Sequence, residues 1–195
     1  MIIGLTGEAG AGKDTVGAIL TDRHGFHRLS FADAMRRAVA ILNPWIVPDG
    51  PGSPARLASL LDLYGWDGAK RHDAYGPEVR RLLEQFGDAA KHVAGESVFV
   101  DHIDRTIAGS VRPRFVVTDV RYPNEAAMIR GWGGLIVRVS RPDNPHRSTS
   151  AHPSNAGLVD PDVMLRNVGT VDDLAGDVAT LLDRVELHTI PRGVL

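Results

Sequence analysis

The chain has 195 residues, 43% of them hydrophobic and 24% charged, and 22 basic against 24 acidic side chains leave a formal charge of −2. This length suits one mid-sized domain with a modest insertion, the composition excludes a disordered chain, a collagen and a membrane span, and the near-neutral charge excludes a field that draws the whole protein to nucleic acid or an anionic membrane. There is no cysteine, which removes disulfides, a thiol nucleophile and cysteine-ligated zinc, and the N-terminus lacks the basic-then-apolar profile of a secretory signal, so a cytoplasmic protein is expected.

Met1-Ile-Ile-Gly-Leu-Thr6 is a strand-length apolar run that breaks into the glycine-rich Gly7 to Thr15 and then into the helical pattern Val16 to Arg23. His27 to Phe31 alternates apolar and polar like a second strand. Ala34, Met35, Ala38, Val39 and Leu42 then recur at helical spacing until Asn43-Pro44 ends the run. From Pro44 to Pro54 the chain is rich in proline and glycine, and from Ala55 to Ala108 it is mostly helical with no convincing strand, so residues 44–108 are the expected insertion. Its clearest helix starts near Pro77 and gathers Val79, Leu82, Leu83, Phe86 and Ala90 on one face.

Arg114 to Asp119 is a third strand, with the continuous apolar character of one covered on both faces, and Gly134 to Val139 is a fourth. Pro123 to Arg130 suits a short helix between them. Asp143 to Gly157 is rich in Pro, Ser, Asn and His without periodicity and is expected to be an exposed loop. Val163 to Arg166 is a candidate fifth strand, and Thr170-Val-Asp-Asp173 caps a last helix carrying Leu174, Val178, Leu181, Leu182 and Val185. Strands alternating with helices imply an α/β fold on a parallel sheet.

The strongest chemical signal is Gly7-x4-Gly12-Lys13 between a strand and a helix. Glycines let backbone N–H groups curl around an anion, the helix N-terminus adds partial positive charge, and Lys13 can reach the outer phosphates of a nucleotide. Asp14 follows the lysine, and the hydroxyl comes one residue later, at Thr15. Asp119 closes an apolar strand, where it is read as a Mg2+ ligand, as a group that positions a phosphate acceptor, or as the cap of the helix that follows. Arg121 either neutralises charge on a transferring phosphoryl group or makes a surface ion pair.

Ser30-Phe-Ala-Asp-Ala-Met-Arg36, Gly65-Trp-Asp-Gly-Ala-Lys70, Pro77 to Gly87 and Thr118-Asp-Val-Arg-Tyr-Pro-Asn-Glu125 resemble, in order, the blocks of the deoxynucleoside monophosphate kinases of bacteriophages and some bacteria. The resemblance runs from Ile2 to about Leu182. It implies a three-layer P-loop NTPase fold with a central five-stranded parallel sheet of order 2-3-1-4-5, a helical substrate-binding insertion over 44–108 and a lid-like loop over 141–158.

The resemblance also implies roles. Gly7, Ala9, Gly10, Ala11, Gly12, Lys13, Asp14 and Thr15 would hold ATP, with Asn167 and Gly169 in a loop beside the adenine and Mg2+ at Thr15 and Asp119. Lys13, Asp119, Arg121, Arg141 and Arg147 would serve the transfer, the last two as lid contacts. Phe31, Asp33, Arg36, Trp66, Lys70, Arg80 and Glu84 would bind the acceptor, although core packing competes for Phe31 and Trp66. Glu84 and Asp88 stand where the family usually has Gln and Thr, and Asn155 replaces an acid, so base preference does not carry over.

The implied reaction is phosphorylation of a deoxynucleoside monophosphate by ATP, without nucleic-acid or membrane partners and with a homodimer left open. The rivals are a similar kinase acting on another phosphorylated acceptor, such as dephospho-coenzyme A, and a nucleotide-binding ATPase that is not a kinase. The basic residues comprise 3 lysines and 19 arginines. Of the arginines, Arg36, Arg80, Arg121, Arg141 and Arg147 are expected to converge on one cleft.

Overall fold

The computed structural model describes residues 1–144 and 159–188. Its contacts divide the chain into two compact units, Met1–Ser30 with Asp104–Leu195, and Phe31–Ile103.

The first unit is built on β1 (Ile2–Thr6), β2 (His27–Leu29), β5 (Phe115–Val117), β6 (Leu135–Ser140) and β7 (Val163–Arg166), with helices α1 (Lys13–His24), α6 (Pro123–Gly131) and α7 (Val171–His188). All four strand pairings are parallel, and the order across the sheet is β2-β5-β1-β6-β7. Among the sheet's own strands that is second, third, first, fourth, fifth, the order expected; the label numbers differ because a small ribbon, β3 (Trp45–Ile46) and β4 (Ala55–Arg56), intervenes in the chain.

Side chains alternate across β1. Ile3 and Leu5 face a core shared with Val16, Ile19 and Leu20 of α1 and Leu174, Val178 and Leu182 of α7. Gly4 faces the other way, where a Cβ would lie 2.7 Å from Ile129 Cδ1 of α6. Helices therefore cover both faces, which explains why β1 and β5 read as unbroken apolar runs.

The second unit contains α2 (Phe31–Leu42), β3 (Trp45–Ile46), β4 (Ala55–Arg56), α3 (Leu57–Arg71), α4 (Gly76–Ala94) and the start of α5 (Val98–Ala108). Val39, Ile46, Leu57, Leu60, Ala69, Val79 and Leu83 form its core, with Leu82 and Phe86 of α4 packed at the margin. Helix α3 is interrupted at Gly65, whose φ of 61° and ψ of 179° are non-helical.

Two expectations are corrected here. The segment from Ala55 to Ala108 does contribute a strand, because Ala55 pairs antiparallel with Ile46; two residues are too few to leave a periodic trace. The second strand is shorter than His27 to Phe31, for Phe31 already begins α2. Among the described residues, no helix is long and apolar enough to cross a membrane.

Candidate active site

The turn after β1 is shaped by what its glycines exclude. Gly7 has φ 135°, and a Cβ there would sit 2.2 Å from the Val139 carbonyl oxygen of β6; Gly12, at the N-cap of α1 with φ 102°, would bring a Cβ to 2.4 Å from Asn167 Nδ2. Neither place admits another side chain without rearrangement. Lys13, the first residue of α1, folds back so that Nζ donates to the carbonyls of Gly7 and Glu8, both at 2.8 Å. The loop is closed by Ala11 N–H donating to Glu8 O at 3.2 Å. Burial, and then the nearby charge of Arg121, lower the Lys13 pKa from its ordinary 10.5, against opposing pulls from Asp14, Asp119 and Glu8. Asp119 and Arg121, far from Lys13 in sequence, thus both lie near enough to act on it electrostatically.

Asp119 and Arg121 lie on the turn that leads from β5 into α6. Thr118 N–H donates to Leu29 O at 3.1 Å and Val120 N–H to Leu5 O at 3.0 Å, fixing the turn to the strands on either side. Asp119 Oδ2 accepts the Ser30 hydroxyl at 2.7 Å. Glu125 takes a capping role at the start of α6: it is only 7% exposed, and its Oε2 accepts the N–H of Arg121 at 2.6 Å and of Tyr122 at 3.0 Å. Tyr122 is the N-cap, Pro123 the first helical residue and Glu125 the third, so Glu125 reaches back as in half of a capping box. Glu125 was not expected in the site. The sequence signals for it were its place at the end of the Thr118 to Glu125 block and an acid at that offset after a proline.

No group of three His, Cys, Asp or Glu suited to a metal occurs among the described residues. Mg2+ does not need one, since it keeps waters and substrate phosphate oxygens and takes one or two protein ligands. The half-buried Thr15 hydroxyl and the Asp119 carboxylate fit such a donor set. Arg141 is exposed just past β6, while Arg147 and Asn155 lie outside the described residues, as does most of the 141–158 segment.

On the far side of the loop, Asn167 N–H extends the β6–β7 pairing by donating to Ser140 O at 2.8 Å, and its side-chain Nδ2 donates to Ala11 O at 3.0 Å. Asn144 Nδ2 likewise donates to Ala9 O at 2.7 Å. Thr170 caps α7 reciprocally with Asp173: Asp173 N–H reaches Thr170 Oγ1 at 3.2 Å, and Thr170 N–H reaches Asp173 Oδ2 at 2.8 Å. The Thr170 hydroxyl, and then its N–H, hold the Asp173 carboxyl below the usual carboxylate range. Gly169 fits tightly beside this cap, where a Cβ would meet Asp173 Oδ2 at 2.6 Å.

The second unit carries cations of its own. Arg36 pairs with Asp33 at 3.4 Å and Lys70 with Asp67 at 2.8 Å, and Arg80 Nη1 donates to the Lys70 carbonyl. Lys70, through its hydrogen bond and then its charge, holds the Asp67 carboxyl low, and Arg36 adds to the effect. Lys70, Arg36 and Arg71 therefore act on Asp67, while Asp33 pairs with Arg36 and Arg80 binds the Lys70 main chain. Arg36 Nε is buried without a hydrogen-bond partner among the described residues. Phe31, 5% exposed, is a core residue, and Trp66 packs against the core of its unit. Glu84 and Asp88 are exposed on α4.

Comparison with known proteins adds a relative of matching length. A protein of Acanthamoeba polyphaga mimivirus, provisionally named deoxynucleotide monophosphate kinase, is 26% identical over 209 residues, spanning 94% of this chain and 96% of that one. Together with the phosphate loop, this match supports a P-loop phosphotransferase. No protein-family profile matches the chain. TT1252 from Thermus thermophilus, at 17% identity, superposes over 98% of both chains with a TM-score of 0.50, which shows a shared fold. Dephospho-CoA kinase from Campylobacter jejuni, 14% identical, gives 0.48 over 97% of this chain and 98% of that one.

Proposed function

We propose that the protein transfers the γ-phosphoryl group of ATP to the 5′-phosphate of a deoxynucleoside monophosphate, giving ADP and the deoxynucleoside diphosphate. The observation that carries this reading is the buried, partnerless Nε of Arg36, in a unit separate from the phosphate loop. A buried donor without an acceptor is costly, and a phosphate oxygen is the acceptor that a planar guanidinium suits best. Lys70 and Arg80 of the same unit supply the remaining charge for a phosphorylated acceptor, while Lys13 and Arg121 serve the donor. The mimivirus relative, by its name, brings the deoxynucleotide into the proposal.

The chemistry asks little of a base. A phosphate monoester has a second pKa of about 6, so at neutral pH the acceptor is already mostly the nucleophilic dianion. The protein has to align two polyanions and neutralise the charge between them. The loop N–H groups and Lys13 hold the donor phosphates, Arg121 faces the charge that develops at the γ-phosphoryl group, and Asp119 orients its surroundings through Ser30. A Mg2+ ion held by Thr15 and Asp119 would supply further charge neutralisation across the donor phosphates. Arg141 and Arg147 would complete the set from the chain that follows β6.

A coupled assay of ADP release tests the reading, with each of the four deoxynucleoside monophosphates, the ribonucleotides and dephospho-coenzyme A as acceptors. Stimulation by at least one deoxynucleotide is expected. Release that none of the four changes would refute it; stimulation by dephospho-coenzyme A alone would identify the rival kinase, and acceptor-independent release an ATPase.

A further inference from the structure

Two carboxamides grip the phosphate loop from outside. Asn144, four residues beyond β6, donates to the Ala9 carbonyl at 2.7 Å, and Asn167, the first residue after β7, donates to the Ala11 carbonyl at 3.0 Å. These are alternate residues of the loop. Every peptide bond described is trans, and in a trans peptide the C=O of one residue and the N–H of the next point in opposite directions. Holding the Ala9 carbonyl toward Asn144 therefore turns the Gly10 N–H away from Asn144, and holding the Ala11 carbonyl toward Asn167 turns the Gly12 N–H away from Asn167. The two amides thereby set the direction of two of the donors from which an anion-binding nest is made.

Asn167 is itself held firmly. Its N–H is bound to Ser140 O at 2.8 Å, and its side chain fits so closely that any Cβ on Gly12 would lie 2.4 Å from its Nδ2. The glycine at position 12 thus makes room for the asparagine as well as for the nucleotide.

We infer that Asn144 and Asn167 are positioning residues that pre-organise the phosphate loop by fixing the Ala9 and Ala11 carbonyls, and that Asn167 acts on the phosphates of the nucleotide rather than on its base. The inference rests on the phosphate-loop part of the proposed function and not on the identity of the acceptor. Pre-organised donors raise affinity because the loop no longer has to order itself on binding.

The test separates phosphate from base. Binding of ADP and of inorganic tripolyphosphate, which has no base, is measured by calorimetry for the wild type, Asn144→Ala, Asn167→Ala and Asn167→Leu, the leucine filling similar space without a donor. Each variant is expected to bind both ligands about five- to tenfold more weakly, the effect of one lost hydrogen bond and a freed carbonyl, with Asn167→Leu no better than Asn167→Ala. Thermal unfolding checks that the variants are folded, and if Asn167→Leu is not, Asn167→Ala decides.

Weakening of ADP alone would assign Asn167 to the base and overturn the inference, as would unchanged binding of both ligands. A wild type that binds neither overturns it together with the phosphate loop. A wild type that binds both ligands and phosphorylates no deoxynucleotide would sink the proposed reaction and leave this inference standing.

Discussion

Glu125→Ala removes the carboxylate that holds the turn carrying Asp119 and Arg121. One oxygen, Oε2, accepts the Arg121 and Tyr122 amides at 2.6 and 3.0 Å, in a side chain only 7% exposed. Hydrogen bonds to a charged group are worth about 1.5–3 kcal/mol each. Water reaching the exposed Arg121 end of the turn recovers part of the two, so the expected loss is about 3 kcal/mol. In a domain of this size each kcal/mol moves Tm by roughly 2–4 °C, which predicts a drop of roughly 6–12 °C. Glu125→Gln keeps an acceptor oxygen and loses only the charge, so about 1 kcal/mol and roughly 2–4 °C are expected. Scanning calorimetry at neutral pH measures both. In the coupled assay, Glu125→Ala should lower kcat about tenfold while KM for ATP stays within about twofold, since Arg121 is misdirected and the loop is untouched, and Glu125→Gln should restore most of the loss. A Tm for Glu125→Ala within about 1 °C of wild type would refute the claim that this carboxylate holds the turn.

Lys13→Ala should abolish nearly all turnover in a folded protein, and activity within about threefold of wild type would contradict the loop assignment. Because burial and Arg121 lower the Lys13 pKa below 10.5, and a bound phosphate favours the ammonium, nucleotide binding should take up protons and weaken as pH rises through that lowered value. Calorimetric titrations with ADP at a series of pH values from neutral up to 10.5, each in two buffers of different ionisation heat, should give apparent enthalpies that diverge as pH rises; identical ones throughout would mean that Lys13 does not change protonation. Gly7→Ala meets the backbone oxygen of Val139, which cannot rotate away as a side chain could, so a loss of about 2–3 kcal/mol in urea unfolding is expected. Arg80→Ala should raise the acceptor KM about tenfold or more and the ATP KM by less than about twofold; equal losses would put Arg80 on the donor side.

The fold was legible where burial imposes a pattern. Val163 to Arg166 is a strand over the residues read from the sequence, and α4 turns Val79, Leu82, Leu83 and Phe86 inward as its spacing requires. Two-residue pairing between Ile46 and Ala55 leaves no such pattern, and Phe31 could not be divided between strand and helix because it is apolar and buried in either. In the site, Lys13 and the glycines were legible because their spacing is local. Glu125 was missed because its role depends on where the backbone of Arg121 points once the turn is closed. Asn144 and Asn167 act across 135 and 156 residues on carbonyl groups, and a carbonyl has no residue type to signal it. Trp66, which could have stacked on a base, packs at the margin of the second unit's core, where its large ring buries apolar area.

Among the described residues the sheet ends at β2 on one side and β7 on the other, and each of these outer strands bears an exposed arginine, Arg28 and Arg166. A strand arriving from a second molecule would have to strip water from a guanidinium before gaining main-chain hydrogen bonds, and β2 offers only three residues in return. Part of the arginine surplus that shapes the whole composition therefore stands on the outer strands of the sheet, where a charged side chain raises the cost of pairing with a second sheet.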